Sequence, residues 1–83
     1  MEPEAVKTLI EQGLPEARAQ VTGDGRHFEA LVLSPGFAGK TLLQRHRMVM
    51  ATVDERIRSD ELHALSIKAY TPEEWQRQTS GVG

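Results

Sequence analysis

The chain has 83 residues, a formal net charge of −2 and no cysteine. This length fits one small domain without room for a deep catalytic cleft, and the charge balance argues against broad affinity for nucleic acid or anionic membranes. The lack of cysteine excludes disulfides, a thiolate nucleophile and a self-contained cysteine-ligated cluster. Because the sequence shows neither a basic and apolar leader nor an apolar run of transmembrane length, we expect a soluble, cytoplasmic protein.

The first part of the sequence predicts a helix followed by a β-hairpin. Residues 3–12 have apolar positions at helical spacing, with Pro3 in the first turn and Gly13 as a natural stop. Residues 17–22 alternate between apolar and polar side chains, which is typical of a half-buried strand. Residues 23–25 favour a turn, and residues 28–33 form a second, more apolar strand with His27 at the base of the turn.

The second part predicts a long helix, a third strand and a short helix. Residues 34–36 break the second strand, and residues 37–40 form a loop or a short helical turn. The long helix covers residues 41–58, and the third strand covers residues 62–70. Thr71 and Glu74 form a capping box for the last helix, in which Trp75 is expected to be the core anchor. The predicted apolar stripe of the long helix consists of Leu43, His46, Met50, Val53 and Ile57.

This order of elements predicts an α+β fold of the type αββαβα. The hairpin makes the first two strands antiparallel, and the long helix between the second and third strands allows those two to run parallel. We therefore expect a small mixed three-stranded sheet with its helices packed on one face. Residues 1–83 form a single predicted domain, with an ordered core over about residues 3–78 and a flexible tail over residues 79–83.

Two histidines are candidate metal ligands. In the predicted topology, the chain enters the second strand near His27 and the third strand near His63, so both lie at the same end of the sheet. Two imidazoles could bind a borderline metal but would only half fill its coordination shell, which suits a site completed by a partner. The structural alternatives are a polar strand-edge residue for His63 and a solvated loop residue for His27.

A basic segment begins the long helix and is a second candidate surface. Lys40, Arg45 and Arg47 would ordinarily form a solvated face, but they could also contact nucleic acid or a protein partner. Residues 36–39 match the short Gly-x-x-Gly spacing of nucleotide-clamping loops. No carboxylate pair, activated serine or other catalytic constellation is found in the sequence, so we expect a protein that is not an enzyme.

Four segments in series resemble the BolA family: residues 23–28 (GDGRHF), 37–40 (FAGK), 43–47 (LQRHR) and 63–75 (HALSIKAYTPEEW). The resemblance implies a fold similar to class II KH domains and a partnership with monothiol glutaredoxins of the Cys-Gly-Phe-Ser type. It also implies a shared 2Fe-2S cluster whose thiolates come from glutaredoxin and glutathione. In this resemblance His63 matches the C-terminal ligand histidine of the family, and His27 matches the variable hairpin position that carries histidine or cysteine.

The sequence therefore favours a non-enzymatic binding protein that supplies His63 and His27 to a cluster shared with glutaredoxin, for iron–sulfur trafficking or regulation. The rival hypothesis is a KH-like nucleic-acid-binding transcriptional regulator that uses Lys40, Arg45 and Arg47. We expect weak DNA binding and no membrane association. Self-association into a homodimer is left open at this point.

Overall fold

The computed structural model describes residues 2–58 and 64–80. His63 and the last part of the predicted tail, residues 81–83, lie outside the described residues. Within the described ranges, the helices and strands are α1 (Pro3–Gly13), β1 (Arg18–Gly23), β2 (His27–Leu33), a 3-10 turn (Pro35–Phe37), α2 (Leu42–Arg58), β3 (Ala64–Tyr70) and α3 (Pro72–Ser80). The predicted α+β class and element order are confirmed.

The described strands form one mixed sheet with the order β1-β2-β3. β1 pairs with β2 in the antiparallel direction, and β2 pairs with β3 in the parallel direction. The β2–β3 register joins His27 to Ala64 at one end and Leu33 to Tyr70 at the other. α2 therefore runs back along the sheet, from the C-terminal ends of the parallel strands to their N-terminal ends.

One face of the sheet forms the core with α1 and α2. Phe28, Ala30 and Val32 alternate along β2 and are buried, because side chains two residues apart point to the same face of a strand. They pack with apolar side chains from both helices, both edge strands and the 3-10 turn, namely Val6, Ile10, Ala19, Phe37, Val49, Val53 and Ala69. The opposite face carries exposed polar side chains, including Gln20, Glu29, Ser66 and Lys68.

Two contacts fix α1 against its neighbours. A Cβ atom on Gly13 would lie 2.6 Å from Cγ2 of Thr52, so the end of α1 approaches α2 as closely as a glycine permits. The Glu11 carboxylate accepts a hydrogen bond from the Ala19 backbone N–H at 3.0 Å. This bond occupies a donor on β1, an edge strand, and so removes one of the unpaired backbone groups that favour edge-to-edge association.

The buried face of α2 differs from the predicted stripe. Leu43 is 58% exposed and His46 is exposed, whereas Arg45, Val49 and Val53 are buried. Two overlapping rows of residues in α2 have helical spacing, one that contains Leu43 and one that contains Arg45. At the start of the helix the row with Leu43 is the more apolar, but the row with Arg45 is the one that is buried. The helix turns Arg45 inward because that side chain finds a carboxylate and two carbonyl groups beneath it, which offset the cost of burying a charge.

None of the helices in residues 2–58 and 64–80 combines the length and the hydrophobicity of a transmembrane span.

Candidate functional site

His27 is held at the start of β2 by a hydrogen-bonded turn. Oδ1 of Asp24 accepts hydrogen bonds from the backbone N–H groups of Arg26 and His27, both at 2.9 Å. The Asp24 N–H in turn donates to the carbonyl of His27 at 3.2 Å. Gly25 has a φ of +96°, a conformation that a residue with a Cβ rarely adopts, so glycine completes the turn at low cost. The hairpin thus presents His27 from a fixed backbone.

The His27 imidazole is accessible to a partner, since its side chain is 73% exposed. Its Nδ1 lies 3.9 Å from Oδ2 of Asp24, whose side chain is 71% exposed. Hydrogen bonds from the backbone N–H groups of His27 and Arg26 lower the pKa of Asp24 below its usual value, which favours the carboxylate form. A neutral imidazole offers the lone pair of one ring nitrogen to a metal ion, and the Asp24 carboxylate lies on the Nδ1 side of this ring.

The start of β3 lies beside this turn. The Ala64 N–H donates to the carbonyl of Arg26 at 3.3 Å, and Ala64 is the register partner of His27. The second predicted ligand, His63, lies outside the described residues and precedes Ala64 in the sequence. Its role in the site therefore stays a prediction.

Among residues 2–58 and 64–80, no group of three or more histidine, cysteine, aspartate or glutamate side chains is placed to hold a metal ion. His27 with Asp24 beside it offers one imidazole and one carboxylate. A metal ion bound by ligands of these types usually has four of them, supplied by the protein or by another molecule. By themselves, the donors in the described residues are too few to complete such a centre.

Arg45, predicted to belong to an exposed basic surface, is buried, with 7% of the residue exposed. Its Nη1 and Nη2 donate to the two carboxylate oxygens of Glu74 at 2.7 and 3.1 Å. Nη1 also donates to the carbonyl of Ala69, and Nε donates to the carbonyl of Lys40, at 3.2 and 3.1 Å. The prediction that Arg45 lies on an exposed nucleic-acid or partner surface is therefore wrong. Lys40 and Arg47 are exposed, as the prediction requires.

Glu74 has two structural roles. As predicted, Thr71 and Glu74 form a capping box, because Oε1 of Glu74 accepts from the Thr71 N–H at 2.8 Å and the Glu74 N–H donates to Thr71 Oγ1 at 3.2 Å. The same carboxylate binds Arg45, and this guanidinium is the main cause that lowers the pKa of Glu74 to about 2. Sequence reasoning found the cap but missed the ion pair, since nothing in the local pattern connects positions 45 and 74.

The Gly-x-x-Gly segment, residues 36–39, is anchored by one inward side chain, that of Phe37, whereas Ala38 and Gly39 are exposed. Phe37 is fully buried, and its ring centroid lies 5.8 Å from the guanidinium carbon of Arg45. Just before it, buried Ser34 donates from Oγ to the carbonyl of Pro15 at 2.6 Å and accepts from the Gly36 N–H at 3.1 Å. The segment therefore anchors the connection between β2 and α2 to the core.

Trp75 is half-buried, so its predicted role as a core anchor needs correction. Its ring packs against Tyr70, with centroids 5.4 Å apart and an interplanar angle of 43°. Tyr70 alternates with buried Ala69 along β3, which places it on the open face of the sheet. The aromatic pair thus forms one wall of a shallow groove over that face, next to Leu31 and Lys68.

Comparison with known proteins gives a consistent result. The model of the family described as BolA-like protein matches residues 4–74. The acid stress protein IbaG of Escherichia coli is 34% identical over 77 residues, which cover 93% of this chain and 92% of that protein. The DNA-binding transcriptional regulator BolA of Escherichia coli is 39% identical over 54 residues, which cover 65% of this chain and 50% of that protein.

Among solved structures, a bolA protein homologue from Coxiella burnetii matches with a TM-score of 0.85 and 47% identity, covering 93% of this chain and 99% of that one. Yeast Fra2 matches with a TM-score of 0.72 and 35% identity, covering 93% and 86%. The αββαβα fold described above is thus the fold of these proteins. The chain belongs to the BolA family.

Proposed function

We propose that this protein is a non-enzymatic partner of a monothiol glutaredoxin and that the two proteins together ligate a 2Fe-2S cluster. The observation that carries the proposal is the pairing of His27 with Ala64 across the parallel strands, at the end of the sheet where the hairpin turn lies. His63 directly precedes Ala64 in the sequence. An exposed imidazole beside this point of the chain supports a two-histidine contribution to a shared centre.

The chemistry of the donors supports sharing. Neutral imidazole is a suitable ligand for iron, and 2Fe-2S clusters with two histidines on one iron are an established ligand type. This chain has no cysteine, so the thiolates that complete the cluster must come from elsewhere. Glutaredoxin and glutathione would supply them, as the family resemblance implies. Bound in this way, the cluster would supply redox and transfer chemistry, while His27 and His63 would bind it and set its sensitivity to protons.

The role is one of binding. The relatives compared above are named as a stress protein and a transcriptional regulator, and no relative among them is named as an enzyme. The described titratable groups support the same role, since the strongly perturbed carboxylate, Glu74, is engaged in an ion pair with Arg45. We therefore propose an adaptor or regulator in iron–sulfur trafficking.

The test is titration of the purified chain into a cluster-loaded monothiol glutaredoxin, followed by visible circular dichroism. We expect a changed spectrum that saturates at one chain per glutaredoxin. His27→Ala and His63→Ala should each weaken formation of this species by at least about 10–100-fold, because changes in groups that merely orient a ligand already cost that much.

The chain offers a matched control for these two substitutions. His46 is an exposed histidine on α2, away from the hairpin, so His46→Ala should leave the spectrum and its midpoint unchanged. A wild-type spectrum that never changes with added protein would refute cluster sharing. Equal effects of all three substitutions would refute the assignment of His27 and His63 as ligands.

The rival function, nucleic-acid binding by a KH-like surface, has weaker support. The Escherichia coli relative named as a DNA-binding transcriptional regulator favours it. However, Arg45 is buried in its pair with Glu74, which leaves Lys40 and Arg47 as the exposed cations of the predicted surface. The affinity of such a surface for DNA should be low and should fall steeply with salt.

A further inference from the structure

The start of α2 carries an exposed apolar and basic surface, here called the α2 entrance patch and defined as Lys40, Leu42, Leu43 and Arg47. Leu42 is 77% exposed and Leu43 is 58% exposed, and in the described part of the chain they are the large hydrophobic side chains that stand out in solvent. Leu43 and Arg47 are four residues apart on the helix and are therefore neighbours on its surface. Adjacent exposed leucines of this kind point to a contact with another molecule.

The charge of the patch is opposite to that of the whole chain. Residues 30–53 contain no aspartate or glutamate, although the chain carries a net charge of −2. Within this segment, Arg45 is neutralised by Glu74. The side chains of Lys40 and Arg47 form no ion pair with any of the residues that the structure describes. Two uncompensated positive charges thus flank two exposed leucines.

The patch lies at the opposite end of the sheet from His27. Arg45 in the first turn of α2 reaches the carbonyl of Ala69, and the Ser34 N–H donates to the carbonyl of Tyr70. These contacts place the start of α2 beside the C-terminal ends of β2 and β3, whereas His27 lies at the N-terminal end of β2. A strand of seven residues spans about 20 Å. The patch and the His27 end are therefore separate surfaces of the molecule.

We propose that the α2 entrance patch is a docking surface for a protein partner that presents an apolar contact rimmed by carboxylates. Leucines provide the desolvated centre of such an interface, and the two cations at its edge select partners of negative charge. A nucleic acid offers phosphates to Lys40 and Arg47, but contacts with its backbone give no role to two aliphatic side chains. The proposed docking surface is distinct from the surface at His27, because the two lie at opposite ends of the sheet.

The probe is a designed, helix-forming peptide with leucines at i, i+4 spacing and glutamates on either side of them. It is titrated into the isotope-labelled full chain, and the backbone amide resonances are followed by NMR. We expect shifts that map to residues 40–47 and spare the hairpin at His27. A peptide with lysine in place of every glutamate should not bind, since its charges would repel Lys40 and Arg47.

Substitutions in the chain test the two components separately. The double variant Leu42→Ser/Leu43→Ser and the single variant Arg47→Glu should each weaken binding of the acidic peptide at least about tenfold, or ~1.4 kcal/mol. Arg77→Glu, the same charge reversal on the exposed surface of α3, is the matched control and should leave binding unchanged. Because the leucines and Arg47 are exposed, the variants should keep the circular dichroism spectrum of the wild type.

Three outcomes would overturn the proposal. The first is that the acidic peptide causes no shifts at concentrations up to about 1 mM. A Kd of about 1 mM corresponds to a binding free energy of about −4 kcal/mol. The second is equal binding of the acidic and the lysine peptides. The third is binding of a short DNA duplex at the patch that Arg47→Glu abolishes and the leucine substitutions leave intact, which would assign the surface to nucleic acid. Mapping on the wild-type chain decides the first two outcomes even if a variant fails to fold, and it shows whether a DNA duplex shifts the same residues.

Discussion

Replacement of Arg45 by methionine tests whether the buried guanidinium stabilises the fold. Methionine keeps most of the aliphatic stem that packs near Phe37 but removes the donors to the carbonyls of Lys40 and Ala69 and to the Glu74 carboxylate. A hydrogen bond to a charged group contributes about 1.5–3 kcal/mol. The Glu74 side chain is 35% exposed and can be hydrated in the variant. The Arg45–Glu74 pair therefore contributes less to stability than a fully buried pair would. We expect a total loss of about 2–4 kcal/mol.

That loss is large for a domain of this size. At about 0.05–0.15 kcal/mol per residue, a chain of 83 residues has a free energy of unfolding of about 4–12 kcal/mol. Urea unfolding, followed by circular dichroism, should therefore show a clear fall in midpoint, and Tm should fall by about 8–30 °C. Arg47→Met removes an exposed cation two residues further along the helix and should change stability by less than about 0.5 kcal/mol. Equal losses for the two variants would refute a stabilising role for the Arg45 network.

Three further predictions concern the histidines, the helix contact and pH. His27→Ala should weaken the cluster-bearing complex with glutaredoxin, as seen by visible circular dichroism, while His46→Ala should not. Gly13→Ala places a Cβ against Cγ2 of Thr52 and should cost about 1–3 kcal/mol in urea unfolding, and Thr52→Ser, which lacks that methyl group, should restore part of the loss. The pKa of Glu74 is about 2 in the folded chain, against an ordinary value of 4.5, so the unfolded chain takes up this proton first as pH falls. Stability from this carboxylate should be complete above about pH 4.5 and should decline toward pH 2. Glu74→Gln should flatten the decline, and an unchanged pH profile would contradict the assignment.

Local patterns in the sequence were sufficient to predict most of the fold. Alternation along β2, the turn at Gly25 and the capping box at Thr71 depend on residues close together in the chain, and each has a direct physical cause. The parallel pairing of β2 with β3 followed from the long intervening helix, because parallel strands need a crossover. These elements were predicted to within a few residues of their bounds.

The face of α2 could not be predicted in the same way. Leu43 and Arg45 compete for the inner side of the helix, and hydrophobicity favours the leucine. The choice depends on Glu74, which lies 29 residues away from Arg45 in sequence and satisfies the guanidinium once the chain has folded. The pairing of His27 with Ala64 at the candidate site could be predicted, because it follows from topology. The exposure of Leu42 and Leu43 could not be predicted, because it depends on long-range packing.

The attachment of α3 gives the fold a weakly held segment. Of the α3 side chains that the structure describes, none is buried, so the helix rests mainly on the Arg45–Glu74 pair and the Tyr70–Trp75 ring contact. Segments with few buried contacts open at a lower free energy than the rest of a domain. The amides of α3 should therefore exchange with solvent hydrogen by local opening, while β2 exchanges only on global unfolding. Such an opening would expose the sheet face beneath Trp75 and leave the core intact. α3 would then open and close as a cooperative unit separate from the rest of this very small protein.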